Sequence, residues 1–355
     1  MPPSNDGSRA YDAILLLGFG GPEGPDDVLP FLRNVTKGRG VPDERLAVVG
    51  EHYARFDGVS PINDQNRSLL AALRPALDDA GVDIPLYWGN RNWHPMLSDT
   101  WARMADDGIR SALVIATSAY SSYSSCRQYQ ENLDAATEEL GDRSPSWFKI
   151  RPFFNHPGFI DASVERAVAD LSDVAPGTVV RFLFTAHSIP ESMSANCDYA
   201  EQLSDAATSV MAGLKIARPD LAQEWDLVYQ SRSGPPSVPW LEPDVLDAIR
   251  ALDASEAATP HLVIIPIGFI SDHMEVMFDL DVEAVDLAAE LGIEMTRVAT
   301  VGTHPRFVGG LVDLVREQTD HAKPVAVGNL APRPSPCAEG CCPAGAGRPG
   351  RPSTA

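Results

Sequence analysis

The sequence predicts an α/β fold with parallel sheets, and three observations lead to that prediction. Short apolar runs alternate with amphipathic stretches along most of the chain, which is typical of βα units. The segments richest in glycine, histidine and acidic residues come directly after apolar runs, where the loops at the carboxyl ends of parallel strands carry chemistry. The 355 residues suffice for two domains of ordinary size or one large one.

The strands and helices follow from these runs. Five apolar runs are the clearest predicted strands: Ala13 to Leu17, Leu86 to Trp88, Ala112 to Ala116, Val179 to Phe184 and Leu262 to Ile267. Between them, Asn66 to Asp79 and Cys197 to Met211 have the apolar spacing of amphipathic helices. From about Lys323 onward Pro, Ala, Gly and Arg dominate, and this composition cannot form a core of its own.

Composition and charge exclude several classes of protein. No apolar run approaches the length that crosses a bilayer, which predicts no transmembrane segment. Met1 to Arg9 lacks the basic start and apolar stretch of a secretory signal, so we predict a cytoplasmic protein. The formal charge of −21 repels nucleic-acid phosphate and attracts cations, so we predict no nucleic-acid partner. An acidic surface that serves only solubility or salt tolerance is the alternative.

The first glycine-rich loop, Gly18 to Gly24, follows an apolar run and invites comparison with dinucleotide-binding loops. It does not fit the GxGxxG pattern, because Glu23 occupies the third glycine position counted from Gly18. We interpret the glycines as allowing the backbone to approach a flat ligand, with Phe19 at its face. A tight turn between strand and helix is the alternative.

Two later motifs carry ionisable groups. His187 directly follows an apolar run in Phe184-Thr-Ala-His-Ser-Ile-Pro, although an isolated histidine is more often structural than functional. Glu275, Asp279 and Glu283 recur at i, i+4 and i+8, which stacks three carboxylates on one helix face. Their apolar neighbours predict that this row lies in the interior. Oxygen ligands beside an imidazole suit a divalent metal in transit, and a solvated acidic face is the alternative.

The five cysteines do not predict a disulfide framework, since their number is odd and no export signal precedes them. Cys337, Cys341 and Cys342 lie together in the tail, where a disordered segment has no structural need for thiols. Three thiols in a C-x3-C-C pattern require a fourth from elsewhere to hold a 2Fe-2S cluster, and a zinc site is equally compatible with the spacing.

Several motifs together resemble the ferrochelatase family. In chain order they are Leu17-Gly-Phe-Gly-Gly-Pro-Glu, Gly58-Val-Ser-Pro-Ile, Asn90-Arg-Asn-Trp-His-Pro, Phe184-Thr-Ala-His-Ser-Ile-Pro, Gln230-Ser-Arg-Ser-Gly-Pro with Pro239-Trp-Leu, and Ser271-Asp-His-Met-Glu. The match runs from about Tyr11 to about Asp320, and the pair formed by the His187 and Glu275 motifs is specific to the family.

The resemblance implies two similar Rossmann-like domains, each with a four-stranded parallel sheet flanked by helices, and an active-site cleft between them. On this basis we divide the chain into a flexible N-terminus (1–10), a first domain (11–119, completed by about 305–322), a second domain (120–304) and a Pro/Gly-rich tail (323–355). The implied reaction is the insertion of Fe(II), a substrate, into a porphyrin.

The resemblance also implies roles for individual residues. His187 becomes the imidazole of the porphyrin cleft, with Glu275 as the carboxylate opposite, and Glu275, Asp279 and Glu283 become a path for metal or protons. The implied porphyrin contacts are Phe19, Lys37, Arg39, Arg55, Ser60, Arg91, Tyr120 and Trp240. Phe19 stands where coproporphyrin-using relatives in many Gram-positive bacteria have a Tyr that ligates the product iron.

For the cysteines, the resemblance implies a 2Fe-2S cluster, because ferrochelatases with a C-terminal cysteine group carry one. Their remaining ligand lies in a Ser/Tyr-rich loop after a mid-chain strand, and Tyr120 to Cys126 matches that loop. Cys126, Cys337, Cys341 and Cys342 are then the ligands, and Cys197 is spare.

We interpret the chain as a coproporphyrin III ferrochelatase of the type found in high-GC Gram-positive bacteria, with a downstream coprohaem decarboxylase as a possible partner. The alternatives are the same reaction on protoporphyrin IX, a cobalt chelatase of the sirohydrochlorin type, and a non-catalytic haem or iron-sulfur binding protein. The cobalt chelatases are not expected to have this tail or the long helix after Ser271, and a carrier has no use for a proton acceptor at a metal path.

Overall fold

The computed structural model describes residues 11–253 and 261–345, so the N-terminal segment predicted to be flexible lies outside the described residues. Eight strands form two sheets of four. They are β1 (Ala13–Gly18), β2 (Leu86–Asn90), β3 (Ser111–Ala116), β4 (Ser146–Lys149), β5 (Val179–His187), β6 (Ala222–Gln230), β7 (His261–Ile265) and β8 (Met295–Arg297).

Both sheets are parallel and have the same topology. The first has the order β2-β1-β3-β4 and the second β6-β5-β7-β8. In register, Leu16 pairs with Trp88 and Ile115, and Phe184 pairs with Leu227 and Ile265. The prediction of two similar four-stranded parallel sheets flanked by helices is therefore confirmed.

Helices connect and cover the strands. They are α1 (Pro25–Val35), α2 (Asp43–Ala54), α3 (Ile62–Asp79), α4 (Leu97–Asp106), α5 (Gln128–Leu140), α6 (Pro157–Asp170), α7 (Glu191–Ser194), α8 (Tyr199–Ala217), α9 (Val245–Asp253), α10 (Met274–Val276), α11 (Val285–Glu290) and α12 (Pro305–Thr319). π-Helical segments run from Tyr123 to Arg127 and from Met277 to Ala284, and a 3-10 turn spans Gly141–Arg143. Within the described residues, none of the helices has the length and apolar character needed to cross a bilayer.

Packing in the core explains why the central strands contain continuous apolar runs. β1 is buried at all six positions, because helices cover both faces of its sheet. One continuous cluster of buried side chains joins the inner faces of both sheets with α3, α6, α8 and α12. Separate clusters cover the outer face of each sheet.

The first sheet extends beyond residue 119, where we divided the chain. β4 pairs with β3, so this sheet ends at Lys149. We did not predict β4, because a half-exposed edge strand has no continuous apolar run. α12 packs against α3 of the first half and against α6, the helix that leads into the second half.

The described part of the tail, up to residue 345, has no helix or strand, yet it is fastened to the body. Arg151 forms a buried ion pair with Glu317 at 2.8 Å and also donates to the Val325 carbonyl. The Asp205 carboxylate accepts from the backbone N–H groups of Asn329 and Leu330. Because buried polar groups need partners, these bonds give an irregular segment a defined position.

Candidate active site

His187 and Glu275 lie side by side at one edge of the second sheet. His187 is the last residue of β5. Glu275 lies in α10, the first helix after the neighbouring strand β7. The imidazole Nε2 is 3.6 Å from the carboxylate Oε2. The resemblance led us to expect Glu275 as the carboxylate opposite His187. The carboxyl ends of adjacent parallel strands lie at one edge of a sheet, so the segments that follow β5 and β7 bring both groups to this edge.

Hydrogen bonding determines which imidazole nitrogen is free. His187 Nδ1 contacts the Ser188 carbonyl oxygen, which can only accept, so Nδ1 carries the proton in the neutral ring. Nε2 then has a free lone pair that points to the Glu275 side. The Tyr199 hydroxyl donates to the backbone carbonyl of His187 at 3.1 Å and fixes the strand end.

A cavity of about 640 Å³ lies above this pair, between the two halves of the chain. Its volume is that of a small-molecule site. The structure brings most of the sequence-predicted residues together in its walls: Phe19, Lys37, Arg39, Ser60, Arg91, Tyr120, His187, Trp240 and Glu275. Among the predicted porphyrin contacts Arg55 is the exception, since its guanidinium lies over the Phe278 ring, 5.7 Å from the centroid. Guanidinium groups favour aromatic faces, and this contact turns Arg55 toward the carboxylate helix.

Three cations in the walls form no ion pair within the described ranges: Lys37, Arg39 and Arg91. Arg91 donates to Asn132 Oδ1 at 2.6 Å, and its guanidinium lies over the rings of Phe19 and Tyr129. Burial lowers the pKa of Arg91 from its usual value, and the neighbouring Tyr129 opposes that shift. A cavity with several uncompensated cations suits a ligand with carboxylates, against the acidic charge of the whole chain.

Other predicted contacts have different roles from those expected. The Tyr120 hydroxyl donates to the Ile267 carbonyl at 2.9 Å, so this phenol joins the two halves of the chain and only its ring is available to a ligand. The buried indole N–H of Trp240 has no hydrogen-bond partner among the residues that the structure describes.

The glycine loop packs closely against protein. A Cβ on Gly18 would lie 2.4 Å from Asn90 Oδ1, and Gly20 has a φ of +84° beside Asn90 and Trp93. These glycines permit close packing of the loop against protein, and Gly20 also lines the cavity, together with Phe19 between them.

The carboxylate row lies on a helix of a different kind from the one predicted. Residues 277–284 are π-helical, and π-helical turns occur frequently at functional sites. Asp279 interacts electrostatically with both Glu275 and Glu283, so the three carboxylates do neighbour one another. The prediction that the row lies in the interior is wrong. Glu275 and Glu283 are exposed and Asp279 is half-buried, because the apolar neighbours occupy the opposite face.

Asp279 has the most perturbed carboxyl of the row. Burial raises its pKa to about 7, and the charges of Glu275 and Glu283 act in the same direction. Hydrogen bonds from Ser231 and from Gln230 Nε2, the latter at 3.2 Å, favour the ionised form and limit the shift. Burial also raises the pKa of Glu283, while His52 and Arg55 oppose that shift. A carboxyl with this pKa exchanges protons near neutral pH.

Sequence reasoning missed two groups in the cavity wall. Tyr53 on α2 is buried, and burial, with the nearby Glu275 charge second, raises its pKa far above the usual range, so its phenol remains a donor. His273 lies next to Asp272, and burial lowers its pKa, so its ring is neutral near pH 7. The sequence around Tyr53 contains no motif that indicates a role in a site. His273, by contrast, lies in the Ser271-Asp-His-Met-Glu motif, which could have identified it as a site residue.

The structure gathers thiols from two distant segments. Cys126 is buried in the π-helical turn after β3, and the neighbouring Cys337 thiol, together with burial, raises the pKa of Cys126. Burial raises the pKa of Cys342 to about 12, and Cys341, Cys126 and Cys197 add to the shift. Cys197 thus lies within electrostatic range, but it donates to the Met193 carbonyl of its own turn. No group of three or more His, Cys, Asp or Glu side chains in the described ranges is placed to hold a metal ion.

The family model named Ferrochelatase matches residues 11–319. The chain belongs to the ferrochelatase family. It is 51% identical to a ferrochelatase of Rhodopirellula baltica over 94% of this chain and 93% of the relative. It is 50% identical to a coproporphyrin III ferrochelatase of Streptomyces coelicolor, over 98% of this chain and 97% of the relative. The ferrochelatases are metal chelatases, so the predicted enzyme class is confirmed.

A solved structure shows the fold. SirB from Bacillus subtilis, determined with Fe3+, has a TM-score of 0.54 at 13% identity, and the match covers 87% of this chain and 96% of SirB. At that identity the likeness concerns the arrangement of the two sheets.

Proposed function

We propose that this protein inserts Fe(II) into coproporphyrin III to give coprohaem. The observation that carries the proposal is the free Nε2 of His187 beside the Glu275 carboxylate, at the base of a cavity with three cations that form no ion pair in the described part of the chain. The pair supplies a proton acceptor and an oxygen ligand at one point, and the cations supply partners for substrate carboxylates.

Insertion requires two protons to leave the pyrrole nitrogens as one Fe(II) enters. His187 Nε2 accepts a proton, and the Glu275 carboxylate 3.6 Å away stabilises the imidazolium that forms. Asp279 and Glu283 continue from Glu275 along the helix. A carboxyl with a pKa of about 7 both receives protons and releases them to solvent, so this row can carry protons out or exchange water on the incoming iron.

The choice of coproporphyrin over protoporphyrin rests on charge. Coproporphyrin III has four carboxylates and protoporphyrin IX has two, and the three cations of the cavity, Lys37, Arg39 and Arg91, exceed the number that two carboxylates would pair with. The Streptomyces coelicolor relative, named for coproporphyrin III, supports the same choice.

An anaerobic assay of the purified protein with Fe(II) and each porphyrin tests the proposal. We expect kcat/KM for coproporphyrin III to exceed that for protoporphyrin IX by more than about tenfold, since carboxylates or cations left unmet cost several kcal/mol. Comparable values would favour the protoporphyrin alternative. Insertion of Co(II) into sirohydrochlorin but not of iron would favour the cobalt chelatase, and no insertion at all would favour a carrier.

We also infer that Cys126, Cys337, Cys341 and Cys342 hold a 2Fe-2S cluster. The donor set fits in kind and number, because four thiols from two segments lie close together. It does not fit in spacing, since no three described groups lie at ligand positions, so a cluster would have to draw the thiols together. No step of iron insertion passes through this group. A cytoplasmic location, the absence of a nucleic-acid partner and a coprohaem decarboxylase as a partner stay predictions.

A further inference from the structure

Arg297, at the end of the edge strand β8, binds two carboxylates, one in the loop before Glu275 and one in the π-helical segment between Asp279 and Glu283. Its Nε and Nη2 donate to Asp281 at 2.7 and 2.8 Å, and its Nη1 and Nη2 donate to Asp272 at 3.2 Å each. Asp272 precedes Glu275 in the loop after β7, and Asp281 lies in the π-helical segment beyond Asp279. One guanidinium therefore joins the loop that carries Glu275 to the helix that carries Asp279.

The same loop is also tied to the other half of the chain. The backbone N–H of Asp272 donates to Gln65 Oε1 on α3 at 2.8 Å. Arg297 has a side chain only 15% exposed, so its bonds are shielded from water and from salt. π-Helical turns are rare and occur mostly as single turns inside α-helices, so contacts from other elements are needed to explain this local departure. The position of the carboxylate row thus depends on two residues that do not belong to it, Arg297 and Gln65.

We propose that Arg297 is a positioning residue for iron insertion, which fixes the spacing between Glu275 and Asp279. The inference rests on the function proposed above. Without Arg297, Asp272 and Asp281 would be two neighbouring carboxylates without a cation, next to a row that is already acidic. Their repulsion would spread the loop and the π-helical segment apart. The cations proposed to bind the porphyrin carboxylates lie on other elements and would keep their positions. They are Lys37, Arg39 and Arg91.

The chain offers a matched control. Arg181 near the start of β5 also binds two carboxylates, Glu224 at 2.6 Å and Asp226, and its side chain is 23% exposed. It lies six residues before His187 on the same strand, about 20 Å away along the strand direction. Arg181→Gln therefore removes a similar arrangement of charges far from the row.

The test compares Arg297→Gln, Arg297→Lys and Arg181→Gln in the full chain at a temperature where all are folded. We expect Arg297→Gln to raise KM for Fe(II) by about 10-fold to 100-fold, as loss of a group that orients metal ligands does. Porphyrin Kd should stay within about twofold, and Arg297→Lys should be intermediate because an ammonium cannot bridge two carboxylates as a fork does. Arg181→Gln should change neither quantity. Equal effects of Arg297→Gln and Arg181→Gln, or a parallel loss of iron and porphyrin parameters, would overturn the inference.

A second measurement separates this inference from the proposed function. Amide hydrogen exchange over residues 277–284 should become about tenfold faster in Arg297→Gln and stay unchanged in Arg181→Gln, whatever reaction the protein catalyses. An inactive wild-type protein with this exchange pattern would refute the function and leave the structural role of Arg297 intact. Unchanged exchange in Arg297→Gln would refute the role of Arg297 and leave the function intact.

Discussion

The free nitrogen of His187 faces the carboxylate of Glu275 at 3.6 Å, and both residues belong to the second half of the chain. His187 ends β5, whereas Glu275 lies in α10, beyond the end of β7. The loop that leads to Glu275 is held by Arg297 of the second half and by Gln65 of the first half. The three cations of the cavity and Phe19 come from the first half. The proton acceptor and the cations for substrate carboxylates are thus supplied by different halves.

This separation leads to a prediction for His187. His187→Ala should abolish iron insertion while the dissociation constant of the porphyrin changes by less than about tenfold, because the walls supply most of the contact. Insertion is measured by the product spectrum and binding by quenching of porphyrin fluorescence. His261→Ala, at the far end of β7, is the matched control and should remain active. A His187→Ala protein with near-normal turnover would remove His187 from the mechanism.

The carboxylate row should show a gradient of effects. Glu275→Gln keeps the shape but cannot accept a proton, so we expect kcat to fall by about 100-fold or more. Asp279→Asn and Glu283→Gln should act mainly on KM for Fe(II), because these groups are farther from His187. Steady-state kinetics with Fe(II) and porphyrin varied separately distinguishes the two effects. Equal losses at all three positions would indicate a structural row without a path.

How far the sequence predicts this fold depends on where a strand lies in its sheet. The central strands β1, β3, β5 and β7 are covered on both faces, and each contains an apolar run that we recognised. Three of the four edge strands, β4, β6 and β8, were missed. Edge strands are partly exposed and short or polar, as in Met295–Arg297, so their residues show no continuous apolar pattern.

The sequence likewise predicts some parts of the candidate site and not others. His187, Glu275 and the cavity cations follow from motifs beside central strands, and the structure brings them together. The π-helical form of residues 277–284 does not follow from spacing, since i, i+4 repeats occur on both kinds of helix. Arg55 and Tyr53 depend on where α2 packs, and Arg297 depends on an edge strand that was not recognised. These are tertiary properties that a local pattern does not contain.

A buried histidine away from the cleft gives a prediction on stability. His156 caps α6 by accepting from the Gly158 N–H through Nδ1, and its Nε2 has no partner among the described groups. Burial, with the Arg151 charge second, lowers the pKa of His156 to about 4. The unfolded chain binds this proton more tightly, so the free energy of unfolding should fall by about 3 kcal/mol as pH drops from about 6.5 to about 4.

His156→Asn provides the control for that effect. Asparagine keeps a side-chain acceptor at the N-cap but does not titrate in this range. Urea unfolding at a series of pH values should therefore show a flatter acid limb in the variant than in the wild type. Parallel curves would mean that His156 contributes nothing to the acid sensitivity of the fold.

The last prediction concerns the thiols, and it distinguishes iron from zinc and Cys126 from Cys197. Protein purified without oxygen should be reddish brown, because thiolate-bound ferric iron absorbs in the visible and Zn(II), with a closed d shell, does not. Serine at Cys126, Cys337, Cys341 or Cys342 should remove the colour. Serine at Cys197 is the matched control, since that thiol also lies near Cys342 but donates to its own turn.

Thermal stability must be measured on the same variants. Arg151 and Asp205 already hold the tail by hydrogen bonds, and a bound cluster would also link the tail to the turn around Cys126. Ligand binding to the folded state alone raises the free energy of unfolding, so the colourless variants should melt at lower temperature than the Cys197 variant. Lost activity then reports unfolding unless the assay temperature lies below that melting point. A colourless wild-type protein that contains zinc, or colour that requires Cys197 and not Cys126, would overturn the cluster assignment. Neither result would affect His187 and Glu275, because the cysteines belong to a separate group outside the walls of the cavity.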